Sequence, residues 1–293
     1  GMNGAKQTER CARFGPAGNC RDFYATGKKS TEDMLRYVAA QGLTAYEYQC
    51  GRGVRLSEET ADTLRRTADE CGVRLSLHAP YFISLASADP EKRENSLRYI
   101  LDSAAAVFRL GGDRIVVHPG GLGGLGREEA TALARETLLR AQALLDAEGL
   151  SAVHICPETM GKIGQLGDFR EILTLCRAEE RWIPCIDFGH LNSRTHGELN
   201  SREAFASLLD TLTDALGEER GRAFHAHFSK IEYTSGGEKR HLTFEDTLYG
   251  PEPAPLMELL AERGLTPTVI CESDGTQTRD AAVLQMLYQE ALS

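Results

Sequence analysis

From Ile183 to His190 the chain reads Ile-Pro-Cys-Ile-Asp-Phe-Gly-His, an apolar run that ends in a carboxylate and an imidazole. Asp187 and His190 read as a metal-ligand pair, with Gly189 supplying a bend that lets two side chains three residues apart converge. The same grammar recurs. Leu75–Pro80 carries His78, Arg114–Gly120 carries His118, and His154–Thr159 carries Glu158. Ala223–Lys230 carries His225 and His227, and Thr268–Ser273 carries Glu272. Carboxylates and neutral imidazoles are good ligands for a divalent ion, and two such ions side by side activate water and neutralise a phosphate.

Those residues need a frame that brings strand ends to one place. Apolar runs end at Phe14, Gln49, Leu77, Val117, Cys156, Asp187, Lys230 and Ser273, and amphipathic segments with acidic first turns and glycine stops separate them. Ser57 opens one such helix and Gly72 closes it; Asp89-Pro90 opens another that closes at Gly111-Gly112. Eight strands alternating with eight helices predict a parallel (β/α)8 TIM barrel over residues 1–293 as a single domain. The runner-up is a doubly wound open sheet. Polar residues at nearly every strand's carboxyl end favour the barrel, which gathers its chemistry on that face. Gly120–Gly126 has neither GxGxxG order nor GK[ST] and reads as a flexible loop, and Glu232–Tyr249 as a long polar one.

With 293 residues the chain can bury a sizeable core. A net charge of −10 argues against a generally basic nucleic-acid binder but leaves room for a local basic face. The eight cysteines contain no CxxC pair and read as small buried hydrophobes rather than disulfides or a zinc ribbon. With no signal peptide and no apolar run of membrane-spanning length, the expectation is a cytoplasmic protein. Gly1 ahead of Met2 reads as an added residue.

His78-Ala79-Pro80-Tyr81, Val117-His118-Pro119-Gly120, Pro157-Glu158-Thr159, Cys185 to His190, His225 ahead of Ser229-Lys230, Arg240-His241 and Cys271-Glu272-Ser273 resemble, in order and spacing, the endonuclease IV family. That family is a barrel of the xylose-isomerase-like superfamily that binds three zinc ions and cuts DNA at abasic sites during base excision repair. The resemblance implies that His78, His118 and Glu158 hold one zinc, and that Glu158, Asp187, His225 and Glu272 hold a second, Glu158 bridging. It places His190 and His241 at the third. Manganese is an alternative occupant, and abasic duplex DNA is the implied partner.

One position departs from the family: Lys239 stands where an aspartate is expected, which leaves the third zinc two imidazoles unless Glu238 takes the place through a one-residue shift of register. Lys239 then contacts the phosphate itself, acting beside Glu158 and Glu272. His227, where the family has asparagine, is a further change. Arg52, Arg55, Lys162, Arg194, Lys230, Lys239 and Arg240 fall in loops after strands, hence on one face, with Arg52 and Lys230 expected on DNA phosphates. Tyr81 and Phe82 are expected to wedge into a base stack or to pack over the barrel mouth. Two other functions fit the same residues. One is a single-metal sugar isomerase or epimerase with Glu158 and Glu272 as ligands and proton carriers. The other is a module that binds damaged DNA with weakened cleavage. His78 and His118 separate the first from the endonuclease, since only a second metal needs ligands on strands three and four.

Overall fold

The computed structural model describes residues 10–293; Gly1 lies outside them. Its strands, in chain order, are β1 (Arg13–Pro16), β2 (Ala45–Gln49), β3 (Arg74–His78), β4 (Arg114–Val117), β5 (His154–Pro157), β6 (Cys185–Asp187), β7 (His225–Phe228), β8 (Ile231–Thr234), β9 (Gly237–His241) and β10 (Thr268–Cys271). Two parallel runs, β2-β3-β4-β5 and β6-β7-β10-β1, are linked by single parallel bridges, Glu158 to Cys185 and Ala17 to Glu47. The bridges close the ring. It is the (β/α)8 barrel that the alternation predicts, with β8 and β9 standing outside it as an antiparallel hairpin.

Local chemistry explains the elements around it. Ser57 caps the helix Glu58–Cys71 by accepting from the Thr60 amide, and Gly72 ends it in the left-handed region at φ 70°. Asp168 and Glu171 form a reciprocal capping box on the helix Phe169–Arg177. Leu77, Ile115, Val117, Ile155 and Ile186 are fully buried between the barrel and its helices. All eight cysteines are free, six of them buried, so they pack as small apolar residues.

One expectation about the loops needs correction. Glu232–Tyr249 is not one long loop, because Ile231–Thr234 and Gly237–His241 pair across it. The Gly120–Gly126 segment touches the rest of the chain at Gly123, where a Cβ would come within 2.0 Å of the Ala86 carbonyl oxygen, while Gly121, Gly124 and Gly126 face open space.

Among the described residues, no helix is long and apolar enough to cross a membrane.

Candidate metal centre

Of four groups of potential ligands among the described residues, three meet at the carboxyl ends of the strands: His78, His118 and Glu158; Glu158, Asp187, His227 and Glu272; His190, Glu238 and His241; the fourth is Cys185, His225 and His227. Within each group the ligand atoms lie within 4.8 Å of one another, and Glu158 belongs to two of them. His78 Nε2 is 3.2 Å from His118 Nε2, and these atoms stand 3.3 and 3.0 Å from Glu158 Oε1.

Asp187 and His190 converge by a different device from the one expected of Gly189. The backbone turns into a short helix, Phe188–Arg194, directly after β6, and Asp187 is its N-cap, accepting from the His190 amide at 2.8 Å. One helical turn then sets the two side chains on one face, His190 Nδ1 lying 3.2 Å from Asp187 Oδ2. Gly189 is needed for close packing, since a Cβ there would sit 2.4 Å from the Ser229 carbonyl oxygen.

The second group contains His227, not His225. Both side chains point into the barrel, as residues i and i+2 of a strand do, but they are about 6.6 Å apart along it and so occupy different layers. Register decides which one reaches the ligands: Asp187 of β6 pairs with His227. His227 Nδ1 faces Glu272 Oε1 at 3.1 Å, Glu158 Oε2 at 3.2 Å and Asp187 Oδ2 at 3.7 Å. His225 lies one layer deeper, bonded to Glu47 and Arg114.

In the third group Glu238 joins His190 and His241 through the one-residue shift of register. The β8–β9 ladder pairs Glu232 with Arg240 and Tyr233 with Glu238, so Lys239 is the extra residue of a bulge. Skipping it reverses the alternation beyond it, and Glu238 and His241, three apart, come to one face. Glu238 Oε2 is 3.4 Å from His190 Nε2 and 3.3 Å from His241 Nε2. Lys239 leans outward, 58% exposed and 3.1 Å from Glu232 Oε2, at the rim of the cavity.

Whether this donor set fits metal ions can be judged from what surrounds it. His78 Nδ1 lies 2.8 Å from the Ala79 carbonyl and His190 Nδ1 2.8 Å from that of Thr159, acceptors that fix the proton on Nδ1 and leave Nε2 to face the cluster. His241 Nδ1 is likewise occupied, by Ser229 Oγ at 2.8 Å. Asp187 Oδ2 and Glu272 Oε1 are buried without a hydrogen-bond partner. Burial, with the charges of Glu272 and Glu158 adding to it, pushes the Asp187 carboxyl up to about 7 despite His190 and His227. Three buried carboxylates packed this closely are costly unless cations sit among them. The residues therefore fit a cluster of divalent ions.

Glu47, on β2, is a candidate site residue that its sequence context does not reveal. It is wholly buried under the cluster, with Oε1 2.7 Å from His225 Nε2 and Oε2 2.6 Å from His227 Nε2. Burial pushes its carboxyl up, but the two imidazoles outweigh this and hold it well below the ordinary range. Within Ala45–Gln49 it looks like any polar residue of a half-buried strand; its one signal is a charge in a segment that the barrel closes on.

Above the ligands is a cavity of about 390 Å³, lined by His118, Met160, Lys162, Gln165 and Glu272 among others, a volume in the range of small-ligand sites. Tyr81 leans over the imidazoles, 5.3 Å from the His78 ring and 5.6 Å from that of His118, half exposed beside the exposed Phe82. Arg52 and Lys162 are exposed on this face. Lys230 is not: it is 4% exposed, its ammonium donates to the Asp246 carbonyl at 2.6 Å, and it meets Glu252 at 3.2 Å, so it pins a loop instead of facing a phosphate. Arg194 is similarly spent on the carbonyls of Met160, Ile163 and Gln165.

Residues 35–289 match the model of the xylose isomerase-like TIM barrel family. The chain belongs to that family. An uncharacterised protein of Methanocaldococcus jannaschii is 34% identical over 258 residues, 88% of this chain and 90% of its own. A probable endonuclease 4 of Streptomyces avermitilis is 30% identical over 227 residues, 72% of this chain and 68% of its own. The apurinic-apyrimidinic endonuclease 1 of Schizosaccharomyces pombe is 27% identical over 184 residues, and the match spans about half its length, 52%. Among solved structures, endonuclease IV from Thermus thermophilus superposes with a TM-score of 0.69 at 21% identity, covering 96% of this chain and 98% of that one. A D-tagatose 3-epimerase-like protein superposes at 0.71 and 22%, covering 96% and 97%. These two likenesses speak for the barrel, which both activities use.

Proposed function

We propose that this family member is a metal-dependent phosphodiesterase of the endonuclease IV kind, which cuts the backbone of duplex DNA at abasic sites. The observation that carries the reading is that the quartet Glu158, Asp187, His227 and Glu272 is flanked on both sides by further donor groups. A sugar epimerase holding one metal accounts for the quartet and leaves His78, His118, Glu238 and His241 without a task. A binding module with weakened cleavage rested on the loss of the third site, and Glu238 supplies the carboxylate whose absence motivated it.

On this reading His78 and His118 with Glu158, the quartet, and His190, Glu238 and His241 each hold one divalent ion, zinc or manganese. Bound metal supplies Lewis acidity toward a phosphate and lowers the pKa of water. The chain's own residues do the rest. Glu158 ties two positions together through its two oxygens, so the reacting groups are set by one rigid side chain at a strand end. The Ala79, Thr159 and Ser229 contacts lock three imidazoles in the orientation that ligation needs. Tyr81 and Phe82 offer apolar surface beside the cluster for the gap that a missing base leaves. Arg52 and Lys162 are placed to meet flanking phosphates.

The test is to reconstitute the protein with zinc or manganese and count bound metal while assaying an abasic duplex. The reading predicts close to three ions per chain and nicking that a chelator abolishes. One ion per chain with no nicking moves the assignment to an epimerase.

A further inference from the structure

We infer that Glu47 is a positioning residue that selects which nitrogen of His227 faces the metal centre. The inference rests on the quartet holding a divalent ion, which the endonuclease and epimerase readings share, and not on the choice of substrate.

Donors and acceptors follow one another along a chain of four groups, Arg114, His225, Glu47 and His227. Arg114 Nη1 is 3.3 Å from His225 Nδ1. A guanidinium only donates, so Nδ1 of His225 accepts and its proton resides on Nε2. That Nε2–H points at Glu47 Oε1, 2.7 Å away, which also receives the Ser76 hydroxyl at 2.9 Å. The other carboxylate oxygen, Oε2, is 2.6 Å from His227 Nε2 and accepts the hydrogen bond of that ring's N–H. His227 is thus held with Nε2–H directed down the barrel and the Nδ1 lone pair directed up, at Glu158, Asp187 and Glu272. The orientation is opposite to that of His78 and His190, whose Nδ1 atoms are tied to backbone carbonyls. Among the described residues no carbonyl does this for His227; a carboxylate rooted on the far side of the barrel does, with the Cys185 thiol beside the same ring, and a carboxylate behind an imidazole also raises its basicity as a ligand.

The consequence is specific to the proton acceptors of Glu47. In Glu47→Gln the side chain has one carbonyl oxygen and one NH2 group. Arg114 still keeps the proton of His225 on Nε2, so the amide oxygen is claimed there and the NH2 group faces His227. His227 Nε2 must then accept, and its proton moves to Nδ1, where the metal belongs.

Two measurements on the zinc-loaded full chain test this. Zinc affinity, titrated against a chromophoric chelator, should fall about 10- to 100-fold for one ion in Glu47→Gln, the usual effect of losing a group behind a ligand, with the remaining zinc held as before. Imidazole 15N spectra of the zinc-loaded wild type, assigned with His227→Asn, should show His227 protonated on Nε2 and unprotonated on Nδ1. A Glu47→Gln protein with wild-type zinc affinity overturns the inference. So does a wild-type His227 that lacks the Nε2 proton, and that result needs no change at Glu47, so a Glu47→Gln chain that fails to fold leaves the inference open to refutation. A chain that passes both tests yet leaves abasic DNA intact refutes the endonuclease reading alone.

Discussion

At the scale of residues, the account separates neighbours that the sequence presents as equals. His225 and His227 are both fully buried, but only His227 reaches Glu158, Asp187 and Glu272, while His225 meets Glu47 one layer below. His227→Ala should cost one bound metal and lower phosphodiester cleavage by at least about 100-fold, the upper end for losing even a group behind a ligand. Glu238 and Lys239 divide in the same way. Glu238→Ala should lower the metal count by one, and Lys239→Ala should leave it unchanged; elemental analysis of the two purified variants decides. Lys239 removing a metal would contradict the placement of the bulge.

The same residues mark where the sequence stops being legible. His78, His118, Glu158, Asp187, His190 and Glu272 are visible because each sits at or just past the end of an apolar run, where a barrel exposes its side chains, whereas His241, in a polar stretch, is legible only through the family resemblance. Choosing His227 over His225 requires the register of β6 on β7, and choosing Glu238 over Lys239 requires a bulge. Both are properties of pairing between segments, which neither segment carries alone. Glu47 was missed because its partners are 178 and 180 residues away.

At the scale of elements, the loop between β5 and the helix Phe169–Arg177 is held by arginines as well as by the buried Met160 and Leu166. Arg127 makes two bonds to Glu171, 2.8 and 2.7 Å, and donates to the carbonyls of Ile163 and Gln165, while Arg194 grips the same two carbonyls. Burial pushes the Glu171 carboxyl up, but the Arg127 bonds and the amides of Asp168 and Gly167 outweigh it and hold it below the ordinary range. A depressed carboxyl contributes stability that is present above its unfolded pKa and is lost as pH falls through the folded value. Glu171→Gln should therefore destabilise by about 1–2 kcal/mol at neutral pH, allowing for solvent screening, and by less in acid below the carboxylate range. Denaturant titrations at the two pH values measure the difference, and an equal loss at both would discard the ion pair as the cause. Gly189→Ala, which forces a methyl against the Ser229 carbonyl, should cost about 1–3 kcal/mol at any pH.

At the scale of the molecule, the proposed function requires an acidic chain of net charge −10 to meet a polyanion through a few local cations. Arg52 and Lys162 are exposed on the face of the metal centre, whereas Lys230 is consumed in holding a loop. The double variant Arg52→Ala, Lys162→Ala should flatten the salt dependence of abasic-duplex binding by roughly 1–2 in logarithmic slope, about one per phosphate contact. Lys230→Ala should lower stability and leave that slope alone. The barrel itself serves phosphodiester cleavage and sugar epimerisation alike, so the decision between them lies in the chemistry performed. The direct measurement is to offer the zinc-reconstituted protein an abasic duplex, the matching intact duplex and a ketose in parallel. The account predicts a nick in the abasic duplex alone, lost in His118→Ala and Glu238→Ala; an untouched abasic duplex beside an epimerised ketose would contradict it.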